Sequence, residues 1–151
     1  MPTIEEVKLQ VQKLPGHQRF FGRKEIKELP NILWENENVE NLIMGLYNNG
    51  NGILVATAKR LIFVDKGIMS LRVEDFPYDK ISSIQYETGW VFGTLTIFTS
   101  GNKAVIQQVE KNSVKSFAEW VRARISGNIQ NSITSQASTQ ISITQSNLYK
   151  Y

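Results

Sequence analysis

The sequence predicts a mainly β domain with helices at either end: about seven short antiparallel strands curled into a small barrel or orthogonal sandwich, capped by a C-terminal amphipathic helix and preceded by a helical extension. Three observations carry this. From about Asn41 to Val109, short apolar runs alternate with turn clusters of Gly, Asn, Asp and Pro. Leu95 and Ile97 alternate with Thr94 and Thr96, the two-residue period of a sheet with one wet face. Farther on, Val114, Phe117, Ala118, Val121 and Ile125 keep one stripe at helical spacing.

The elements follow in order. Thr3 with Glu6 three residues on is a capping-box pattern, and Ile4, Val7, Val11 and Leu14 recur at helical spacing until Pro15-Gly16. A second short helix is expected from Arg23 to Leu29, ended by Pro30. Neither is long enough to be stable alone, so both should pack on the domain that follows. Strands are expected over Leu42–Asn48, Ile53–Thr57, Leu61–Val64, Ser70–Glu74, Ile81–Glu87, Thr94–Thr99 and Lys103–Val109. The first two should be joined by a turn at Asn49-Gly50-Asn51-Gly52, because Asn and Gly tolerate positive φ. Asn112 or Ser113 can cap the last helix, and Gly127 suits the position after its end.

This gives three segments: an extension over 1–36, a domain over 37–126 and a tail over 127–151. Of the 25 tail residues, 15 are Ser, Thr, Asn or Gln, with isolated Ile129, Ile133, Ile141 and Ile143. That composition cannot build a core, so the tail is expected to be flexible; the alternation Ile141-Ser-Ile143-Thr offers the alternative of a strand added to a sheet edge.

Composition excludes much chemistry. With no Cys and one His, the chain cannot form a disulfide framework, a thiolate zinc site, a Cys nucleophile or a multi-histidine metal cage. The single imidazole, His17, follows Pro15-Gly16 in an expected loop, and no Ser sits in a nucleophile-elbow pattern. The carboxylates Asp65, Glu74, Asp75, Asp79 and Glu87 lie mostly at turns, where acids serve the backbone. The reading is a non-enzyme with no metal and no cofactor. Acidic residues near the start, with no apolar run behind them, predict a cytoplasmic protein, at most peripheral to a membrane.

Three segments now narrow the fold. Gly52-Ile-Leu-Val-Ala-Thr-Ala-Lys-Arg-Leu-Ile-Phe-Val-Asp-Lys-Gly67, Phe76-Pro-Tyr-Asp-Lys-Ile-Ser-Ser-Ile84 and Thr99-Ser-Gly-Asn-Lys103 resemble the bacterial pleckstrin-homology (PH) domains called YokE-like, over about residues 33–126. The resemblance implies a PH-like fold and a binding role, for lipid, peptide or protein. It also implies where a phosphoinositide headgroup would sit, among Lys and Arg of the first two strands and the loop between them. Here no base occurs between Lys27 and Lys59, and Glu28, Glu35, Glu37 and Glu40 occupy that interval. The net charge of +3 is therefore uneven and counts against that pocket.

Two surfaces remain as candidates. Gly89-Trp90-Val91-Phe92-Gly93 places two large aromatics between glycines where a hairpin tip is normally polar; they either fold back over the barrel or form an exposed wedge. The groove between the Ile81–Tyr86 strand and the last helix could accept an added strand, which brings in Ile84, Tyr86 and Trp120. Protein interaction or self-assembly through Trp90, Phe92, Ile84, Tyr86 and Trp120 is the leading expectation. The alternative is weak binding of an anionic lipid surface by Lys59, Arg60 and Lys66. Lys111, Lys115, Arg122 and Arg124 form a short cationic stripe, but Glu119 can pair with Lys115, so nucleic acid is not expected. Trp34 is expected to be a packing anchor.

Overall fold

A computed structural model describes residues 1–20 and 22–148. The N-terminal part holds α1 (Ile4–Gln12), a 3-10 turn at His17–Arg19 and α2 (Lys24–Ile32). Seven strands follow: β1 (Asn41–Tyr47), β2 (Gly50–Ala56), β3 (Arg60–Lys66), β4 (Leu71–Pro77), β5 (Ile81–Thr88), β6 (Phe92–Thr99) and β7 (Asn102–Glu110). They form one antiparallel sheet in the order β4-β3-β2-β1-β7-β6-β5. A helix, α3 (Lys111–Leu148), completes the described chain. The sheet is not closed: β4 and β5 are its two edges, so the expected barrel is an open one.

The core explains the curl. Phe76 of β4, Ile84 of β5, Leu54 of β2 and Ile106 of β7 share one buried cluster with Val114, Phe117, Ala118, Val121 and Ile125 of α3. Residues from opposite edges of a flat sheet could not meet in this way. The helical stripe read from the sequence is thus the plug of the core.

A second cluster lies on the outer face. Val7 and Val11 of α1, Phe20, and Ile26, Leu29 and Leu33 of the α2 region pack against Leu42, Ile53, Val55, Ile62 and Val64. Alternate residues of β2 and β3 therefore feed two cores, which is why Ile53–Ala56 and Leu61–Val64 read as unbroken apolar runs; every one of these residues is fully buried. Gln10 pins α1 to the strand entry, its Oε1 accepting from Val39 N and its Nε2 donating to Asn38 Oδ1, both at 2.8 Å. The capping box at Thr3 and Glu6 forms as expected.

Four local readings are corrected. Helix α2 continues through Pro30 to Ile32, because Leu29 and Leu33 are fully buried and Leu33 N donates to Leu29 O at 2.9 Å, which holds the last turn. The β1–β2 turn is Asn48-Asn49, with φ of 47° and 64°, not Asn49 to Gly52. Helix α3 starts at Lys111 and does not stop at Gly127. Residues 141–144 are helical rather than a strand; the hydroxyls of Thr134, Ser135, Ser138, Thr139 and Thr144 donate to the carbonyls four residues back, which satisfies them within the helix. The tail's last residues, 149–151, lie outside the described residues.

Gly52 lies in β2 at a place where a side chain has no room. A Cβ would press on the Val64 carbonyl oxygen and stand 2.8 Å from the Phe63 ring. Gly52→Ala is expected to destabilise by about 1–3 kcal/mol, as overpacking does, seen as a lower urea midpoint at unchanged slope; an unchanged midpoint would contradict this packing.

Candidate interaction site

The β5–β6 hairpin settles the alternative left open for its tip. Gly89 N donates to Phe92 O at 2.8 Å, which closes the turn and leaves Trp90 and Val91 at its apex. Trp90 is 98% exposed, Val91 68% and Phe92 53%. The aromatics do not fold back. Beside them lies a cleft of about 390 Å³ whose walls include Phe20, Ile43, Met44, Val91, Phe92 and Val109. Its shape depends on a bulge: Gln108 adopts a φ of 55°, and the β6–β7 register slips between Gly93 and Leu95.

The rim of the cleft carries one ion pair, Arg19 with Glu110. Ser113 Oγ donates to Glu110 Oε2 at 2.5 Å. The hydrogen bonds from Ser113 and from Arg19, with the Arg19 charge, hold the Glu110 carboxyl below its usual range against the opposing effect of burial. The result is an apolar trough with a settled, ionised pair at its lip. Such a site can hold an aliphatic or aromatic side chain and orient a polar neighbour.

The other sequence candidates lie elsewhere. Ile84 is buried in the core, so its side chain cannot touch a partner. At the expected strand-addition groove Arg122 engages one backbone acceptor of β5, its Nε and Nη2 donating to Ile84 O at 3.2 and 2.9 Å with its guanidinium 5.5 Å from the Tyr86 ring. Tyr86 and Trp120 are partly buried against the core. Trp120 faces a separate hollow with Gln10, Leu14 and Val39, under Arg124, which pairs with Glu40 at 2.6 Å. Of the five, Trp90 and Phe92 share a site. Lys115 does pair with Glu119, at 4.0 Å.

The basic group does not converge. Arg60 is buried and fully engaged: Nε and Nη2 grip Glu37 at 3.0 and 2.9 Å, Nη2 also donates to Ile32 O at 3.0 Å, and Nη1 reaches Asp75 at 3.1 Å. Trp34, half exposed, covers the guanidinium at 3.8 Å, the packing role expected of it. Lys66 pairs with Glu28 at 3.4 Å. Lys59 is exposed, 5.6 Å from the Trp34 ring. Near the β1–β2 turn the cation is Arg72, and it lies over the Tyr47 and Phe63 rings with Nη2 donating to Tyr47 O at 2.5 Å.

Sequence reasoning missed the cleft walls Phe20, Ile43 and Met44, which come from separate segments and carry no shared motif. It also missed Ile68 and Met69, 90% and 95% exposed in the β3–β4 turn.

The sequence profile of the family described as bacterial PH domain matches residues 33–123. The chain belongs to the bacterial PH domain family. Its fold is similar to that of the Vps36 N-terminal PH domain, at a TM-score of 0.51 and 14% identity over 65% of this chain and 86% of that one. The C-terminal domain of an unknown protein from Leishmania infantum is similar at 0.50 and 13%, over 66% and 93%. A pleckstrin homology domain from Shewanella amazonensis is 28% identical over 53% of this chain and 76% of that one, at a TM-score of 0.41. No curated protein matches the chain. PH domains are generally non-catalytic binding modules, and in this PH domain no described helix is long and apolar enough to cross a membrane.

Proposed function

We propose that this PH domain is a protein-interaction module whose contact surface is the Trp90-Val91-Phe92 tip with the adjoining cleft. The observation that supports this is the exposure of three consecutive apolar side chains at a closed turn beside an apolar trough. A tryptophan 98% in water gives the fold nothing, and such residues concentrate binding energy when a partner covers them. Membership of the YokE-like group remains a reading of the quoted motifs. The lipid alternative rests on Lys59 once Arg60 is enclosed and Lys66 is paired.

The test uses the double variant Trp90→Asp, Phe92→Asp. Its thermal midpoint should fall only modestly: both side chains are more than half exposed, and the cost is the new carboxylate at position 92 facing Glu110 across the β6–β7 pair. Proteins that crosslink to a photoreactive residue at position 91 should be lost in the variant. Flotation of the wild type with anionic liposomes, abolished by the same variant, would overturn the reading in favour of a membrane wedge.

A further inference from the structure

The two edges of the open sheet are not alike. β5 is interrupted by a bulge between Ile81 and Ser83, and its Ile84 carbonyl is taken by Arg122. A bulge and an occupied acceptor both blunt an edge. β4 has neither: it pairs with β3 in unbroken register from Lys66 opposite Leu71 to Arg60 opposite Pro77. The bond from Gly67 N to Ser70 O, which closes their turn, fixes which backbone groups of β4 are spent. Alternation from that pair gives Arg72, Glu74 and Phe76 to β3 and turns the N–H and C=O of Leu71, Val73 and Asp75 outward. β4 ends the sheet, so no strand pairs with these groups. Leu71 and Val73 remain 44% and 42% exposed, although Val73 lies opposite the fully buried Val64.

We propose that β4 is a self-association edge, pairing antiparallel about a two-fold axis with β4 of a second copy of this chain. Outward groups pair only with outward groups, so near the middle of β4 the axis can pass through Arg72, Val73 or Glu74. Charge then selects both the occupant and the register. With Val73 on the axis, Arg72 lies opposite Glu74 of the second copy and Glu74 opposite its Arg72. These are the close, non-hydrogen-bonded pairs, where opposite charges attract most. An axis at Arg72 sets Arg72 against Arg72, and one at Glu74 sets Glu74 against Glu74.

The strand is thus complementary to itself, which is what an isologous contact needs. Arg72 has room for a second carboxylate, since its side chain is 36% exposed and its pair with Asp65 is long, at 3.8 Å. In the same register Met69, 95% exposed, comes opposite Pro77 of the second copy. This edge lies across the sheet from β5 and the Trp90 tip, so the contact leaves the tip open to its own partner.

The experiment is light scattering coupled to size exclusion on the full chain, with near-UV circular dichroism to show that each variant is folded. The wild type should run at twice the chain mass of 17.2 kDa. Val73→Pro removes an N–H that β3 does not use, which an edge strand tolerates, and should run at the single-chain mass. Arg72→Glu and Glu74→Arg should each do so alone, yet recover the double mass when mixed, because each then meets its opposite. Arg72 also donates to Tyr47 O, so Val73→Pro, which leaves that bond alone, is the deciding variant. A wild type of single-chain mass at all working concentrations overturns the proposal. So does a double mass that survives in folded Val73→Pro, a mixture of the two folded charge variants that stays at the single-chain mass, or an assembly lost in Trp90→Asp, Phe92→Asp.

Discussion

Removal of residues 1–36 is expected to yield an insoluble or unfolded chain rather than a trimmed domain. The deletion takes away Val7, Val11, Phe20, Ile26, Leu29 and Leu33, and bares Leu42, Ile53, Val55, Ile62 and Val64 to water. Each such side chain is worth roughly 1.5–3 kcal/mol when fully buried. Five of them together rival the roughly 5–15 kcal/mol that holds a whole domain, even though the deletion also spares the ordering of the helices. Circular dichroism and a proton–nitrogen correlation spectrum of residues 37–148 measure this. A dispersed spectrum and a cooperative melt near that of the full chain would show the helices to be an accessory. A milder probe, Leu29→Ala, should cost about 2–5 kcal/mol.

The second large effect is expected at Glu37 and Arg60. The Glu37 carboxylate accepts from Arg60, from Trp34 N at 3.0 Å and from the Thr57 hydroxyl at 3.0 Å, and is wholly enclosed. Glu37→Ala leaves a buried guanidinium with only Asp75 and a carbonyl, and should destabilise by about 3–5 kcal/mol. Replacing both partners by Glu37→Leu, Arg60→Met should recover much of that loss. A double variant as unstable as the single one would argue that the pair contributes more than its own desolvation.

The same pair sets the acid limit. Burial alone would push the Glu37 carboxyl up, but the hydrogen bonds from Arg60, Trp34 N and Thr57, with the Arg60 charge, outweigh it and hold the carboxyl below its usual range. Glu110 is held low as well. A depressed carboxylate contributes stability that is complete above the unfolded value and disappears as pH falls through the folded one. Stability of the wild type should therefore drop below about pH 5, and Glu37→Leu, Arg60→Met should show a shallower fall. Arg60, raised by Glu37 and Asp75 against the cost of burial, stays charged throughout.

What could be read from the chain follows from the range of the interactions. The strands along the chain and the helical plug were legible because apolar spacing is local, as at Thr94–Ile97 and Val114–Ile125. The exposed tip was half legible: two aromatics between glycines marked it, but the sequence left open whether it folds back. The register of the first hairpin was not, since Asn49, Gly50 and Gly52 all suit a turn; the chain instead turns at Asn48 and Asn49, and Gly52 lies in β2 against the Val64 carbonyl of another strand. Arg60 looked like a surface base because its partner stands 23 residues away. The cleft joins the 15–20 loop, β1, the tip and β7 and leaves no signature in any one of them.

The strands fed by two cores also set how the molecule breathes. Amides of Ile53–Ala56 and Leu61–Val64 lie in strands flanked on both sides, with protein on both faces, so their hydrogens should exchange with solvent only when the whole domain opens. At the far side, β5 is a sheet edge and carries the Trp90 apex at its end, so it can open locally. The binding end can then adjust its shape at little cost, while the strands covered on both faces keep the fold.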